Sequence, residues 1–144
     1  NGVMGGHVTS GNDAGEMGSA AINQFVRVGH AALVGGVAGV EADVIPYGSV
    51  LGNRARLIGL HWIWLRRNGV QSAEIHRMRK AFLTLYPKVC GDVSFQARLE
   101  QVRKDFSGND RIQEILTFID APSHRGLVRP ARAGAADQAE TEGA

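Results

Sequence analysis

Aliphatic residues return at every sixth position in the first third of the chain. These positions are Ile22, Val28, Val34 and Val40. Small side chains stand two residues before three of them, at Ala20, Ala32 and Ala38. A helix repeats every 3.6 residues and a strand every two, so a period of six fits neither element alone.

A coil of short strands explains the period of six. If each unit is one short strand and one turn, three units close a triangular coil of about 18 residues, and coils stack about 4.8 Å apart. The aliphatic position then points inward, and Gly29 and Gly35, which follow it, supply turn conformations. The pattern predicts a left-handed parallel β-helix, an exception to the right-handed crossover rule. A parallel sheet with accidental spacing is the alternative.

The pattern changes to helical spacing from about Asn53. The stretch "NRARLIGLHWIWLRRNG" predicts a helix closed by Gly69. Three further helices are expected, the first capped by Ser72 and ended by Pro87, and the last opened by "GND". Their apolar stripes are Ile75, Met78, Phe82 and Leu85, then Phe95, Leu99, Val102 and Phe106, then Ile112, Ile115, Leu116 and Ile119.

These patterns divide the chain into three parts. Residues 1–52 form part of a longer β-helix, residues 53–121 form a C-terminal α-helical domain, and residues 122–144 form an extended or disordered tail. Ser10 and Glu16 stand at inward positions of the repeat, where a buried, unpaired carboxylate is costly. They predict either a locally distorted coil or a degenerate repeat.

Composition and charge narrow the classes of function. Sixteen Lys and Arg against 14 Asp and Glu give a formal charge of +2, so no global field attracts nucleic acid or a membrane surface. The single Cys90 excludes an intrachain disulfide and a multi-cysteine metal site, and it fits a reducing cytosol. No apolar run is long enough to span a bilayer. The sequence therefore predicts no nucleic-acid partner, no metal site and no membrane span.

Several short stretches, in order, are similar to one enzyme family. They are "GGHV", "INQFVRVG", "VGGVAGVEADVIPYG", "GNRARLIGL", "LRRNG" and "RGLVRP". From about Gly2 to Pro130 the chain closely resembles the C-terminal half of the acyl-carrier-protein-dependent UDP-N-acetylglucosamine O-acyltransferases. The resemblance implies a cytoplasmic homotrimer that moves a 3-hydroxyacyl chain from acyl carrier protein to the 3-hydroxyl of UDP-N-acetylglucosamine, the first step of lipid A biosynthesis. It implies no cofactor, because the phosphopantetheine thioester of the carrier protein is a co-substrate.

The resemblance assigns roles to residues of the repeat. The Gly6 N–H lies where the family places its oxyanion donor, and His7 lies at a substrate-contacting histidine. Asn23 replaces a histidine of the family beside the matching Gln24, and Gly36 stands where relatives limit the depth of the acyl chain. The general base of the family is the histidine of an "AHD" motif, which this chain lacks. Without the resemblance, His7 and the Asn23–Gln24 pair would be interpreted as solvent-facing turn residues.

A second group of predicted site residues lies near the first helix. Arg67 corresponds to an arginine that binds the nucleotide from the neighbouring subunit, Arg66 adjoins it, and His61 replaces the usual asparagine at a uracil contact. Without the resemblance, the two arginines would be interpreted as partners of the helix dipole. Arg54 is also predicted to bind substrate. The basic residues expected to meet the acidic carrier protein are Arg54, Arg56, Arg66, Arg67, Arg77, Arg79 and Lys80.

Three functions remain open from the sequence. In the first, the chain is the C-terminal part of the O-acyltransferase and is inactive alone because the general base is missing. In the second, it is a different hexapeptide acyltransferase, such as a UDP-3-O-acylglucosamine N-acyltransferase; the helical extension with "LRRNG" argues against this. In the third, it is a trimerising remnant without chemistry, which an "AHD" repeat upstream would exclude. The length of the acyl chain is not determined by the sequence.

Overall fold

Short strands at a regular spacing form the N-terminal part of the molecule. The computed structural model describes residues 3–16, 18–89 and 91–131, and only the backbone of residues 3 and 16. Seven described strands have two residues each, and each begins six residues after the one before. They are β1 (Val3–Met4), β2 (Thr9–Ser10), β3 (Gly15–Glu16), β4 (Ala21–Ile22), β5 (Arg27–Val28), β6 (Leu33–Val34) and β7 (Gly39–Val40).

These strands stack in parallel sheets. β1 pairs with β4 and β4 with β7, so that Met4, Ile22 and Val40 lie in register eighteen residues apart. β2 pairs with β5, and β3 with β6, at the same separation. The predicted spacing of six residues per strand and eighteen per coil is therefore confirmed. The buried inward side chains are those of Ala20, Ile22, Val26, Val28, Ala32, Val34, Ala38, Val40, Val44 and Val50.

The turns between strands have a left-handed backbone at every sixth residue, with φ between 55° and 65°. These residues are His7, Asp13, Ser19, Phe25, Ala31 and Val37. The prediction that Gly29 and Gly35 supply the turn conformation is wrong. A Cβ added at Gly29 would collide with the Pro46 backbone, and one added at Gly35 with the Leu51 side chain. Glycine is needed at position 29 because the backbone of the next coil passes too closely for any side chain, whereas at position 35 the Leu51 side chain would have to move.

The third coil is two residues shorter than the two before it. The next inward residue after Val40 is Val44, four positions later, and Val44 bridges in parallel to Val28. Strand β8 (Gly48–Leu51) then pairs with β6 and turns back into an antiparallel partner, β9 (Arg56–Leu60). The corner between Val40 and Val44 is thus a four-residue unit in place of a six-residue one.

Strand β9 corrects the prediction of a helix throughout residues 53–69. Leu57 is buried while Arg56 and Ile58 are exposed, which is the period of two of a strand. The extended conformation prevails because this backbone pairs with β8. The helix is confined to α1 (Trp62–Arg67). The predicted helical part therefore begins about nine residues later than expected.

Three longer helices follow and pack on one another through the predicted apolar stripes. They are α2 (Ser72–Leu85), α3 (Phe95–Asp105) and α4 (Asp110–Asp120). Ser94 and Asn109 cap α3 and α4, since their side chains accept hydrogen bonds from the Ala97 and Ile112 amides. The prediction that Ser72 caps α2 is wrong. Ser72 stands one residue too late, because it is already the first residue of the helix. The N-cap is Gln71, whose side chain makes no capping hydrogen bond.

The C-terminal segment returns to the coil. Gly126 O accepts from Asp43 N at 2.7 Å, and Asp43 O accepts from Val128 N at 2.8 Å. Leu127 thereby forms a parallel bridge beside Asp43, and Val128 is buried. The predicted tail is therefore extended and packed over its first residues. Residues 132–144, for which disorder was predicted, and Cys90 lie outside the described residues.

The polar residues at inward positions of the first coil do not distort its backbone. Ser10 keeps its parallel register with Val28, and its side chain is exposed. The backbone of Glu16 likewise keeps its register with Val34. The side chain of Glu16 lies outside the described part of the structure. The predicted distortion is thus absent from the described backbone of this coil.

Candidate functional site

The residues predicted to bind the acceptor sugar lie on one corner of the coil. The turn Gly5–His7 stacks on the turn Asn23–Phe25, and a Cβ added at Gly5 would lie 2.6 Å from the Gln24 nitrogen. Asn23 and Gln24 are exposed on this corner. The His7 ring lies parallel to the Phe25 ring, with centroids 5.4 Å apart and an interplanar angle of 4°. The eighteen-residue register thus brings His7 and Gln24 together from distant sequence positions.

Gly6 lies at the tip of the same corner. A Cβ built at Gly6 would meet nothing within 4 Å, so the backbone faces open space. Its N–H makes no hydrogen bond to the described part of the chain. An N–H left unpaired and accessible at a turn can donate to an oxygen of a bound molecule. The geometry is compatible with the predicted role of Gly6 as an oxyanion donor.

Two residues that sequence reasoning missed also reach this corner. His124 of the C-terminal segment packs on Phe25 with centroids 5.3 Å apart and an interplanar angle of 41°. Arg125 Nε donates to the Gln24 carbonyl at 3.0 Å. Arg125 opens the "RGLVRP" stretch, but no local spacing signals that His124 and Arg125 lie at this corner, because the contact between Arg125 and Gln24 spans 101 residues.

The nucleotide-binding candidates lie at a different corner. His61 precedes α1, where its Nδ1 hydrogen-bonds the Ala31 carbonyl at 3.0 Å and its backbone N–H donates to Tyr47 O. Arg66 and Arg67 are exposed in the last turn of α1, and the Arg66 guanidinium lies 5.1 Å from the Trp62 ring centroid. The structure therefore does not place Arg67 at the His7 corner of the same chain. Gly36 is exposed at a third corner, beside Val37.

The remaining basic candidates are separated into two groups. Arg54 and Arg56 line a groove of about 210 Å³ together with Arg129, which was not predicted, and with Glu41. On α2, Arg77 pairs with Glu74 at 3.0 Å, while Arg79 and Lys80 are exposed. The remaining basic candidates thus lie in two separate places, the groove and α2. His76 is exposed on α2.

A polar cluster that was not predicted joins α4 to the coil. His30 Nδ1 lies 2.8 Å from Glu114 Oε1, and the Tyr47 hydroxyl donates to Glu114 Oε2 at 2.5 Å. His30 Nε2 faces Asp13 at 3.8 Å. Burial, followed by the hydrogen bond and charge of Glu114, raises the pKa of Tyr47 well above its ordinary value. This cluster fixes the helical bundle against the corner that carries His61.

The described residues offer no metal site and no membrane helix. No three His, Cys, Asp or Glu side chains within residues 3–16, 18–89 and 91–131 are placed to share a metal ion. Across the same ranges, each helix is too short or too polar to cross a bilayer.

Comparison with known sequences points to one group of enzymes. The family model described as "Udp N-acetylglucosamine O-acyltransferase; Domain 2" matches residues 43–128, more than half of the chain. A Rhizobium rhizogenes protein named acyl-[acyl-carrier-protein]–UDP-N-acetylglucosamine O-acyltransferase is 37% identical over 127 residues, covering 88% of this chain and 46% of the relative. A Sinorhizobium fredii protein of the same name is 37% identical over 132 residues, covering 92% and 48%. The chain spans about half the length of the curated relatives it matches.

Solved structures agree with this similarity. The UDP-N-acetylglucosamine acyltransferase of Arabidopsis superimposes with a TM-score of 0.79 at 29% identity, over 85% of this chain and 45% of that one. The Campylobacter jejuni enzyme of that name gives a TM-score of 0.79 at 24% identity, over 91% and 49%. The second similarity concerns the fold alone. The coil and the helices that follow it thus recur together in known structures.

Proposed function

Because this chain belongs to the UDP-N-acetylglucosamine O-acyltransferase family, we propose that it is part of an enzyme that acylates the 3-hydroxyl of UDP-N-acetylglucosamine. The acyl donor is a 3-hydroxyacyl chain held as a thioester on acyl carrier protein, and the reaction opens lipid A biosynthesis. The observation that carries this proposal is the family match over residues 43–128, which spans the end of the third coil, β9 and all four described helices. It favours this activity over that of an N-acyltransferase.

The corner at His7 is proposed as the place where the acceptor sugar binds. A hydroxyl attacks a thioester only when a general base takes its proton and a donor meets the growing negative charge on the thioester oxygen. The free Gly6 N–H suits the donor role. His7, Asn23 and Gln24 present an imidazole and two amides that can hydrogen-bond sugar hydroxyls. Asn23 cannot exchange a proton at neutral pH, so it orients rather than catalyses.

The general base is proposed to come from outside these residues. None of the five histidines lies in the "AHD" motif that the resemblance associates with proton transfer. His30 is held by Glu114 and faces Asp13, at another corner than Gly6. The chain by itself thus provides binding groups and an oxyanion donor, while deprotonation of the sugar hydroxyl requires a further histidine.

The family context completes the proposal for partners and assembly. Arg67, exposed at the end of α1, is proposed to meet the diphosphate bound at the His7 corner of a neighbouring subunit. A cytoplasmic homotrimer of left-handed coils would bring these two corners together. Gly36 leaves space for the acyl chain, and the exposed arginines of α1 and α2 are proposed to meet the acidic carrier protein. The phosphopantetheine thioester is the only prosthetic chemistry required.

A transfer assay tests the proposal. The 144-residue chain is compared with a completed enzyme, meaning this chain joined at its N-terminus to the N-terminal half of the R. rhizogenes relative. Both receive 3-hydroxyacyl carrier protein and UDP-N-acetylglucosamine. The completed enzyme is expected to transfer the acyl chain, and the chain alone to be slower by at least about 10²- to 10⁴-fold, the usual contribution of a general base.

Variants of the completed enzyme supply the controls. His7→Ala is expected to weaken acceptor use by about 2- to 12-fold, as for one lost hydrogen bond. His76→Ala, on the exposed face of α2, is expected to behave as the parent. Transfer to the 2-amino group of UDP-3-O-acylglucosamine, with none to the 3-hydroxyl of UDP-N-acetylglucosamine, would establish the N-acyltransferase alternative instead. A folded completed enzyme without any transfer would leave the non-catalytic alternative.

A further inference from the structure

Three rings from three separate parts of the chain form one column at the His7 corner. His7 comes from the first coil, Phe25 from the second and His124 from the segment after α4. The centroid separations are 5.4 Å and 5.3 Å, both within the range of favourable aromatic contacts. Phe25 therefore packs against both other rings, and 38% of its surface is exposed.

The shortened third coil explains why His124 is needed. In the first two coils, six residues separate successive inward positions, and a turn residue stands at each corner. The third coil passes from Val40 to Val44 in four residues, so it has no turn residue to lie beneath Phe25. His124 fills that place from the other end of the chain. His124 thus continues the column of His7 and Phe25, although it belongs to the segment after α4 and not to a coil.

Short contacts hold His124 where it is. On its N-terminal side, the Ser123 hydroxyl donates to Asp43 Oδ2 at 2.6 Å. On its C-terminal side, Arg125 Nε donates to the carbonyl of Gln24 at 3.0 Å. The backbone of Gly126 then pairs with Asp43. His124 is therefore fixed by contacts on both flanks rather than placed by its own ring alone.

The column connects His124 to the rest of the corner through Phe25. Phe25 has φ of 64°, the left-handed conformation that recurs at the turns of the coil. Its neighbour Gln24 carries the carbonyl that Arg125 holds, and the facing turn carries His7. A ring removed from beneath Phe25 would free Phe25 to rotate, and His7 would lose the flat surface that sets its ring plane.

We propose that His124 and Arg125 are positioning residues of the acceptor-sugar corner. His124 supports Phe25, Phe25 fixes the plane of the His7 imidazole, and Arg125 fixes the Gln24 backbone beside it. Both residues act through others and leave the bound sugar to His7, Asn23 and Gln24. The inference rests on the proposed role of this corner in binding UDP-N-acetylglucosamine.

A double-mutant cycle in the 144-residue chain tests whether His124 acts through His7. Binding of UDP-N-acetylglucosamine is measured by calorimetry for His124→Ala, His7→Ala and the double variant. His124→Ala is expected to weaken binding by about 2- to 12-fold, the range for one aromatic pair, and His124→Phe to restore it. In the His7→Ala background, His124→Ala is expected to have no further effect. A purely structural role would instead give the same loss in both backgrounds, and that result overturns the proposal.

Arg125 is tested in the same way with Gln24 left intact. Because Arg125 holds a backbone carbonyl, Arg125→Lys, which keeps a donor, is expected to bind the nucleotide sugar better than Arg125→Ala. His76→Ala serves as the matched histidine control, since His76 is exposed on α2. Thermal melting checks that the variants are folded. If folded His124→Ala and Arg125→Ala bind UDP-N-acetylglucosamine with the same affinity as the parent chain, the proposal is overturned.

A readout without ligand separates this inference from the proposed function. The carbon-bound ring protons of His7, assigned with His7→Ala, report by NMR on the ring stacked against them. His124→Ala is expected to shift these resonances, while His76→Ala leaves them in place. If the parent chain binds no nucleotide sugar, the proposed function loses support. The shift of the His7 resonances then tests the column independently of ligand binding. Unchanged His7 resonances in His124→Ala refute the column.

Discussion

Arg27 and Asp43 form a buried ion pair in which the arginine donates twice to one carboxylate. The Arg27 backbone N–H and Nε each lie 2.8 Å from an Asp43 oxygen, and the Asp43 side chain is fully buried. Ser123 donates to the same carboxylate, and Arg27 Nη1 donates to the Phe118 carbonyl at 3.1 Å. One charge pair therefore joins the second coil, the third coil, α4 and the C-terminal segment. The buried carboxylate is tolerated because both of its oxygens are hydrogen-bonded.

Removal of Asp43 is expected to destabilise the fold strongly. Asp43→Ala leaves the Arg27 guanidinium mostly buried without its partner, which typically costs about 3–5 kcal/mol in the free energy of unfolding. Urea denaturation measures this loss. The exposed pair Arg103–Asp120, with a separation of 2.6 Å, provides the control. Asp120→Ala is expected to cost at most about 1 kcal/mol, and equal losses for the two variants would contradict the central role of Asp43.

Tyr86 is expected to limit stability at high pH. Its hydroxyl is buried, and no hydrogen-bond partner for it exists among the described residues. Burial raises the pKa of Tyr86 to about 12, although the charges of Arg129 and Arg98 act in the opposite direction. The unfolded chain loses this proton near pH 10, whereas the folded chain keeps it up to about pH 12. The free energy of unfolding is therefore unaffected by this group below pH 10 and falls as the pH rises towards 12.

Replacement of Tyr86 by phenylalanine checks this expectation. Tyr86→Phe removes an unpaired buried hydroxyl, so stability at pH 7 is expected to stay equal or to rise by up to about 1–3 kcal/mol. The variant is also expected to lose less stability than the parent between pH 10 and 12. Tyr47→Phe is the matched control, because the Tyr47 hydroxyl donates to Glu114 and its loss should destabilise the protein. A destabilised Tyr86→Phe would mean that the hydroxyl has a partner.

Arg67 is expected to bind the nucleotide. In the completed enzyme, Arg67→Ala should weaken UDP-N-acetylglucosamine binding by about 1.5–3 kcal/mol, the range for hydrogen bonds to charged groups. Titration calorimetry measures the change. Arg79→Ala, at an exposed position of α2, should leave the affinity as it is. Unchanged affinity in Arg67→Ala would remove this residue from the site.

Self-association is expected to contribute to stability. Large apolar side chains are exposed on the isolated chain, with 65% of Val37, 56% of Ile58 and 46% of Trp62 accessible. Burial of such surface between subunits would couple folding to assembly, so the melting temperature should rise with protein concentration. Sedimentation is expected to show a trimer. A cooperatively folded monomer whose melting temperature is independent of concentration would rule this out.

Much of the candidate corner follows from motifs and spacing in the sequence. A period of six predicts the inward positions, and an eighteen-residue coil then places His7 above Phe25 and beside Gln24. The helical stripes of α2 to α4 are predicted equally well, because side chains three and four residues apart share a helix face whatever lies opposite. The resemblance to known relatives, confirmed by the family match, rests on these same local stretches.

Only the tertiary structure decided the features that depend on residues far apart in sequence. Arg56–Leu60 is a strand because β8 offers it hydrogen bonds, and Gly29 is required because Pro46 passes beside it. The contacts of Glu114 with His30 and of Arg125 with Gln24 span 84 and 101 residues. The sequence determined local conformation through side-chain period and turn chemistry. The path by which the helices return the chain to the coil depends on packing among all of them, which no local pattern encodes.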